Sequence, residues 1–253
     1  MTDPAKRRAP AVLRAVHILD RLAATPEPLG VSDLARDIGA PKSSVYGICE
    51  TLAEAGVLNS EDRGYSLAAH CLRWSGAYIE RSSLVSDFQR ILSRDNRLAQ
   101  YTVTLSTLEG DQVTYLACRN SDSPLGFTFR IGMRLPAVYS ATGKAMLSRL
   151  PLPERHAILA RPWHPPFTAN SVADLASFDE ASERWKELGY AIDNGEIRDG
   201  MVCLGAPIIG PGGRPVAGIA ISMTSAEARP EVQQELGGIV RDIAASMNLH
   251  HGD

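Results

Sequence analysis

The chain has 253 residues, 44% of them hydrophobic and 22% charged, which is the composition of an ordinary globular protein long enough for two domains. The formal net charge of −3 does not favour a strongly basic surface, and no apolar run approaches the roughly 18 residues of a membrane span, so no membrane partner is expected. The four cysteines lie far apart without a CxxC pair, and the histidines show no ligand-type spacing. This pattern predicts a cytoplasmic protein without disulfides, metal or cofactor.

Residues 1–8 include three basic side chains and predict a disordered arm that can contact DNA. Residues 9–24 are predicted to form the first helix, which ends before a breaker with two prolines, Thr25–Pro28. The core face of this helix is expected to hold five apolar residues: Val12, Leu13, Val16, Leu19 and Leu22.

The stretch from Val31 to Tyr65 predicts a winged helix-turn-helix. Apolar residues at helical spacing predict one helix that ends at Gly39 and a second that begins near Pro41 and ends before Gly56. A short hairpin with a turn over residues 61–64 follows. Two helices joined by a tight turn and followed by a hairpin are typical of a DNA-binding domain, which we assign to residues 9–68.

The predicted second helix carries short or flexible hydrogen-bonding side chains at its N-terminal end, where recognition helices contact base edges and phosphates. Arginines before this helix and at the wing tip are further candidates. Residues 1–70 hold eight basic and nine acidic side chains, a balance of −1, so affinity is expected to depend on multimerisation. The alternative is a small helical packing unit without a role on DNA. The predicted DNA-binding residues are Lys42, Ser43, Ser44, Tyr46, Arg63 and Arg36.

Residues 69–82 directly follow the wing and predict a helix that links two domains. One face of this helix is partly aromatic, with Trp74 and Tyr78 at helical spacing. This face fits either ordinary packing within the chain or a contact between two copies.

Residues 83–250 predict an α/β domain with a largely antiparallel sheet flanked by helices. The elements expected in order are an amphipathic helix over 84–98, a hairpin over 101–118, a short strand Phe127–Ile131, helices over 140–150, 152–159 and 172–188, strands over 190–193, 202–209 and 216–223, and a last helix over 230–250.

Three segments of the chain resemble the isocitrate lyase regulator (IclR) family of bacterial transcription factors. They are the helix-turn-helix LARDIGAPKSSVYGICETLAEAGVL, the loop and helix start PAVYSATGKAMLS over 136–148, and ELGYAIDNGEIRDGMVCLGAPIIGPGGRPVAGIAIS over 187–222. The resemblance extends from about Ala9 to Met247. It implies an α+β protein with an N-terminal winged helix-turn-helix, a linker helix and a C-terminal GAF-like effector-binding domain. It also implies a homodimer or homotetramer that binds double-stranded operator DNA.

The same resemblance implies a pocket for a small carboxylic acid in the C-terminal domain. The family's acid-binding loop opens a helix, whose N-terminus suits an anion. The matching positions in this chain are the backbone amides of Ala141 and Thr142, the polar side chains Asp193, Cys203 and Ser222, and the apolar walls Phe127 and Leu135.

One position departs from the family pattern. Ala220 stands where the family's small-acid sensors carry serine, so the pocket loses a donor and becomes more apolar. Together with Phe127 and Phe129, this departure favours an aromatic or otherwise bulkier acid. The expected function is a transcriptional regulator, in the first place a repressor of a catabolic operon, whose affinity for DNA is changed by such an acid.

Simpler roles stay open for the individual residues. Cys203 fits a small buried hydrophobe, Asp193 fits a cap on the following turn, and Ser222 fits the end of a strand. A C-terminal domain that binds no ligand and serves only as an oligomerisation platform is an alternative. Catalysis is disfavoured, because Ser140–Ala145 fails the P-loop pattern, no GxSxG occurs, and no feature places a histidine beside Cys203. No catalytic residue is assigned.

Overall fold

The computed structural model describes residues 9–121 and 129–248, and its contacts divide the chain into two compact units with the boundary between Arg81 and Ser82. The predicted arm over residues 1–8 lies outside the described residues. The helices are α1 Pro10–Ala23, α2 Val31–Asp37, α3 Lys42–Glu54, α4 His70–Arg81, α5 Ser83–Leu92, α6 Ala141–Arg149, α7 Leu152–Leu159, α8 Leu175–Leu188 and α9 Pro230–Asn248. The strands are β1 Leu58–Glu61, β2 Gly64–Leu67, β3 Thr102–Glu109, β4 Gln112–Arg119, β5 Arg134–Pro136, β6 Ala191–Asn194, β7 Met201–Ile209 and β8 Pro215–Thr224.

The first unit is a winged helix-turn-helix, as predicted. Gly39 and Gly56 adopt positive φ angles of 63° and 72°, the conformation that lets α2 and α3 end where the sequence predicted. Strands β1 and β2 form the antiparallel wing, and a bridge from Leu29 to Tyr65 adds a third segment. One buried cluster joins α1, α2, α3 and the wing through Ile18, Leu22, Leu34, Ala35, Val45, Cys49, Leu58 and Tyr65.

The predicted core face of α1 is partly wrong. Val12, Leu13 and Val16 are exposed, whereas Ile18 and Leu22 are buried. Residues advance by about 100° around a helix, so the three exposed residues lie opposite Ile18 and Leu22. Helix α1 therefore carries two apolar faces, and only one packs within the chain.

Helix α4 follows the wing and buries none of its residues. Its large apolar side chains Leu72, Trp74 and Tyr78 are each more than half exposed. Trp74 contacts the ring of His70 at a centroid distance of 5.0 Å. Packing within the chain therefore does not account for the aromatic face.

The second unit is built on a six-stranded sheet with the order β5-β4-β3-β8-β7-β6. Every neighbouring pair is antiparallel, which confirms the predicted α/β domain with an antiparallel sheet. Helix α6 packs on one face of the sheet against β7 and β8, and α9 packs against β7. The buried core lies between the sheet and these helices.

The strand predicted over Phe127–Ile131 is wrong in its described part. Residues 129–131 are irregular, and Gly132 turns the chain with a φ of 82°. The strand in this region is β5, which pairs with β4 at Leu135 and Val113. Apolar and β-branched composition thus indicated a segment a few residues ahead of the actual strand.

Two helix boundaries also differ from the prediction. Helix α5 ends at Leu92 rather than near Leu98, and Leu98 is buried in the connection to β3. Helix α8 begins at Leu175, because the side chain of Asp174 accepts a hydrogen bond from Ser177 N at 2.8 Å and caps its N-terminus. Within the described ranges, no helix is long and apolar enough to cross a membrane.

Candidate functional site

The floor of the candidate site is one face of the six-stranded sheet. Alternate residues of a strand share a face, and the pairing register brings three inward-facing residues into line, Asp193 on β6, Cys203 on β7 and Ser222 on β8. The next row across the sheet holds Gly205 on β7, Ala220 on β8 and Thr104 on β3.

Glycines in the floor bring the first turn of α6 against the sheet. A Cβ atom on Gly205 would lie 2.6 Å from Ala141 C and 2.7 Å from Thr142 N. A Cβ atom on Gly218 would lie 2.8 Å from Thr142 Cβ. The Ser106 hydroxyl donates to Thr142 Oγ1 at 2.7 Å and links the helix to β3. The peptide between Ala141 and Thr142 therefore lies directly on the strands.

The first turn of α6 has two backbone N–H groups without an acceptor among the described residues. The Ser140 side chain caps the helix by accepting from Gly143 N at 3.1 Å. Among the hydrogen bonds of the described residues, none uses the N–H groups of Ala141 or Thr142. Free N–H groups at the positive end of a helix dipole are a favourable place for an anion.

A narrow cavity lies between this helix turn and the sheet. The centre of a water molecule can occupy about 10 Å³ of it, which is room for about one water. A larger ligand therefore needs lining side chains to move. The residues around it are Thr104, Tyr115, Phe129, Leu135, Ser140, Ala141, Thr142, Asp193, Ile197, Met201, Cys203, Ala220 and Ser222.

Asp193 is the acidic side chain of this cavity and is only 1% exposed. One oxygen, Oδ1, accepts hydrogen bonds from Glu196 N at 2.7 Å and Ile197 N at 3.4 Å, so the residue also caps the turn that follows β6. Burial raises the pKa of this carboxyl to about 6, against the opposing effects of Lys144 and the Glu196 amide. Near neutral pH both protonation states are thus accessible.

Cys203 and Ser222 form a polar pair on the floor, with Sγ and Oγ 3.2 Å apart. Burial raises the pKa of the Cys203 thiol well above its usual value, and the neighbouring Asp193 adds to this effect. A thiol held in its neutral form is a poor nucleophile. The pair is suited to hydrogen bonding rather than to covalent chemistry.

A buried ion pair stabilises the turn after β6. Lys144 on α6 pairs with Glu196, donates to Ile192 O at 3.0 Å and lies 5.1 Å from the centroid of the Trp185 ring. The second oxygen of Glu196 accepts from Val172 N at 3.1 Å. Helix α6, the turn and the loop before α8 are therefore held together by one polar network.

The structure brings six of the seven residues predicted for the effector pocket around this cavity. They are Leu135, Ala141, Thr142, Asp193, Cys203 and Ser222, and the seventh, Phe127, lies outside the described residues. Sequence reasoning missed Thr104 and Tyr115, which also line it. The signal for Thr104 was the alternation of Thr102, Thr104 and Ser106, three hydroxyls in a buried strand.

In the first unit, α3 presents the predicted recognition face. Lys42, Ser43 and Tyr46 are exposed on this helix, whereas Ser44 is half-buried. Arg14 on α1 donates to Ser44 Oγ at 3.1 Å, so Arg14 is a basic residue beside this face that the sequence analysis missed.

The two predicted arginines differ in their surroundings. Arg63 is exposed in the turn of the wing, and the wing is fixed to α3 because the Tyr65 hydroxyl donates to Glu50 Oε1 at 2.6 Å. Arg36 is exposed but already donates to Asp33 Oδ1 at 2.8 Å. Arg63 therefore has more freedom to contact a phosphate.

The described histidines do not assemble a catalytic site with Cys203. His156 pairs with Asp179 at 2.6 Å, and His164 pairs with Asp111 at 3.0 Å. Over residues 9–121 and 129–248, no group of three or more His, Cys, Asp or Glu side chains is arranged to hold a metal ion.

Comparison with known families assigns both units. A model of the IclR helix-turn-helix domain matches residues 11–62, and a model described as bacterial transcriptional regulator IclR C-terminal matches residues 76–249.

Individual relatives span nearly the whole chain. The HTH-type transcriptional regulator BhcR of Paracoccus denitrificans is 30% identical over 84% of this chain and 76% of its own. The crystal structure of the Agobacterium tumefaciens repressor BlcR is 40% identical, with a TM-score of 0.64 over 96% of this chain and 98% of its own. A homologue from Microbacterium hydrocarbonoxydans, solved in complex with 4-hydroxybenzoate, is 19% identical with a TM-score of 0.74 over 94% and 98%. At that identity, the last likeness concerns the fold alone.

Proposed function

Because the chain belongs to the IclR family of bacterial transcriptional regulators, we propose that it represses a catabolic operon and that a small carboxylic acid changes its affinity for operator DNA. The acid binds in the cavity under α6, and the protein acts in the cytoplasm as a homodimer or homotetramer without catalytic activity. The protein has one state that binds DNA tightly and one that binds it weakly. The acid can change the affinity for DNA only by as much as its own affinity differs between these two states.

The free amides of Ala141 and Thr142 over a polar floor are the observation that carries this proposal. The ligand carboxylate accepts from these N–H groups at the positive end of α6. Asp193, when protonated, and the Cys203–Ser222 pair supply further hydrogen bonds to the same end. The ion pair of Lys144 with Glu196 keeps this arrangement in place.

The acid is aromatic or otherwise bulky in this proposal. Ala220 lines the cavity with a methyl group in place of a hydroxyl, and Phe129 and Leu135 add apolar walls. A relative of the same fold binds 4-hydroxybenzoate, an aromatic acid. The small volume of the cavity means that such an acid must displace lining side chains as it enters.

On DNA, two copies present α3 to half-sites in successive major grooves. Lys42, Ser43 and Tyr46 contact bases or phosphates, and Arg63 contacts the backbone beside them. Ser44 contributes together with Arg14, and Arg36 makes at most a peripheral contact. The exposed faces of α1 and α4 support self-association of the kind this arrangement needs.

A thermal-shift screen with aliphatic and aromatic acids tests the proposal. A ligand that binds the folded state raises Tm by mass action. We expect a hit with the unsubstituted protein that disappears in Asp193→Ala and Ser222→Ala and persists in the exposed control Asp199→Ala. The hit must also change the binding of the protein to its own upstream DNA in a mobility-shift assay.

Two results would contradict the proposal in different ways. Hits that survive both pocket substitutions would place the acid elsewhere. Upstream DNA binding that no acid changes, with no Tm shift, would favour a C-terminal unit that serves only for oligomerisation.

A further inference from the structure

Gly47 lies at the centre of the outward face of α3, where the fold does not require a glycine. Residues advance by about 100° around a helix, so Gly47 points about 160° away from Val45 and from Cys49, which are both fully buried. A Cβ atom on Gly47 would have no heavy atom within 4 Å among the described residues, apart from its chain neighbours and the nearby backbone of its own helix. Its φ angle is not positive, so other residues would fit the backbone here as well.

This glycine weakens the helix to which it belongs. Glycine loses more conformational freedom on folding than any other residue and is among the least favourable residues inside a helix. Gly47 is the sixth of the 13 residues of α3, well inside the helix. Because neither the conformation nor the packing of the described residues calls for glycine, the missing side chain indicates a partner that comes close to the helix at this position.

The side chains around Gly47 favour a base edge over a phosphate as the part of DNA that comes close. Glu50 lies three residues further along the same face, and its carboxylate repels phosphate. This carboxylate already accepts from the Tyr65 hydroxyl at 2.6 Å. The Thr51 hydroxyl is also engaged, because it donates to Gly47 O at 2.8 Å. The space over Gly47 therefore offers little hydrogen bonding.

An apolar group suits this space best. Tyr46 is 54% exposed and presents an aromatic ring next to the missing side chain. In the major groove, the apolar group that base pairs present is the 5-methyl group of thymine. A recognition helix that lies in the groove brings its outward face against the base edges. A methyl group on a base can therefore occupy the space that a side-chain methyl group on Gly47 would take.

We propose that Gly47 determines specificity on DNA by receiving the 5-methyl group of a thymine against the bare backbone of α3, with the Tyr46 ring beside it. This inference rests on the proposed function, because it takes α3 to be the helix that enters the major groove. It names the feature of a base pair that the helix reads. It also predicts that a substitution which stabilises the protein weakens its binding to DNA.

An exchange of methyl groups between protein and DNA tests the inference. The fragment upstream of the coding region is amplified with either thymidine or deoxyuridine triphosphate, and the second product lacks the 5-methyl groups. Gly47→Ala adds one methyl group to the helix. Fluorescence anisotropy of the full chain and of this variant on both fragments, at one salt concentration, gives four dissociation constants.

On the thymine fragment, we expect Gly47→Ala to weaken binding about tenfold or more, because two methyl groups then compete for one space. The unsubstituted protein should bind the uracil fragment at least about fourfold more weakly, because the burial of a methyl group is lost. On the uracil fragment, the loss caused by Gly47→Ala should shrink to about twofold or less, since the two changes are not additive at a contact. In thermal unfolding, Gly47→Ala should raise the Tm of the first unit by about 3–8 °C.

Two control variants separate this effect from others. Lys42→Ala removes a charge, so it should lose the same factor on both fragments. Gly238→Ala makes the same exchange on α9 in the second unit, where the added methyl group meets only Arg241, at an ordinary contact distance of 3.9 Å. This second control should leave both dissociation constants unchanged.

The outcomes separate this inference from the proposed function. If Gly47→Ala binds the thymine fragment as tightly as the unsubstituted protein does, or loses the same factor on both fragments, the inference is overturned and the regulator stays intact. A lower Tm for Gly47→Ala would also overturn it, because the fold would then need the glycine. If the unsubstituted protein does not prefer the thymine fragment to unrelated DNA, the proposed function fails and the inference fails with it.

Discussion

Asp193 illustrates how one buried carboxyl couples the pocket to pH. Its pKa of about 6 in the folded chain lies above the usual value of 3.8, so the folded state binds a proton more tightly than the unfolded state does. The free energy of unfolding should therefore fall as pH rises from about 4 to about 6, and it should stay level above that range as far as this residue is concerned.

The substitution Asp193→Asn removes this dependence and keeps an oxygen to accept from Glu196 N. Between pH 4 and pH 7 we expect the unsubstituted protein to lose about 2 kcal/mol relative to Asp193→Asn. Urea denaturation of both proteins across this pH range measures the difference between their free energies of unfolding. The contributions of the other titrating groups are shared by both proteins and largely cancel in this difference. Parallel pH profiles for the two proteins would show that Asp193 ionises normally.

At the scale of elements, the position of α6 depends on two glycines in the strands beneath it, Gly205 on β7 and Gly218 on β8. Gly205→Ala would place a methyl group 2.6 Å from the backbone of Ala141, and backbone cannot move aside as a flexible side chain can. We expect a destabilisation of about 1–3 kcal/mol by overpacking and a failure to bind acid, because the free amides are displaced. Chemical denaturation and calorimetry measure the two effects.

Gly76→Ala on α4 is the matched control for Gly205→Ala. No heavy atom lies within 4 Å of the added methyl group, and alanine is favoured over glycine in a helix by up to about 1 kcal/mol. This control should keep acid binding unchanged. If Gly205→Ala also bound acids normally, the amides of α6 would not be the anion site.

The recognition helix and the wing carry the prediction for DNA. Lys42→Ala combined with Arg63→Ala should weaken operator binding about tenfold or more at moderate salt. It should also reduce the slope of log K against log salt by about one for each phosphate that the protein no longer neutralises. A salt titration by fluorescence anisotropy measures both, with Lys186→Ala in the second unit as a control. An unchanged slope would exclude these side chains from phosphate binding.

Much of the fold was predictable because local signals and the core agree. Gly39 and Gly56 end their helices as the sequence indicated, and the polar residues of the motifs over 136–148 and 187–222 meet around one cavity. The predictions that failed concern which face of α1 is buried and where the strand near residue 130 begins. The two apolar faces of α1 look alike in the sequence, and only packing against α3 distinguishes them.

The cavity shows the same limit at single residues. Alternation along β3 divides its side chains between two faces, but it does not say which face meets a ligand. Thr104 and Tyr115 were identified as lining the cavity only once the structure gave the order of the strands. The resemblance to the family predicted pocket residues only within or near the matching motifs, and these two residues lie outside those motifs.

For the whole molecule, the division into two units predicts that unfolding is not a single transition. Each unit has its own buried core, and multi-domain chains commonly depart from two-state behaviour. In calorimetric scans we expect a bound acid to raise the transition of the second unit by several degrees. Operator DNA should raise the transition of the first unit.

Spectroscopic probes can assign these transitions, because Trp163 and Trp185 belong to the second unit and Trp74 to the first. Trp74→Phe leaves tryptophan fluorescence that reports the second unit alone. An acid that moved only the transition of the first unit would contradict the proposed location of the pocket.

The narrowness of the cavity has a kinetic consequence. With space for about one water, the described conformation has to open before a larger acid enters, so only a fraction of the molecules is ready to bind at any moment. We expect association well below the diffusion limit and a rate that saturates at high acid concentration, where the opening step becomes limiting. The regulator would then respond slowly. A rise in acid concentration that lasts for less time than the opening step would leave DNA binding unchanged, and only a sustained rise would change transcription.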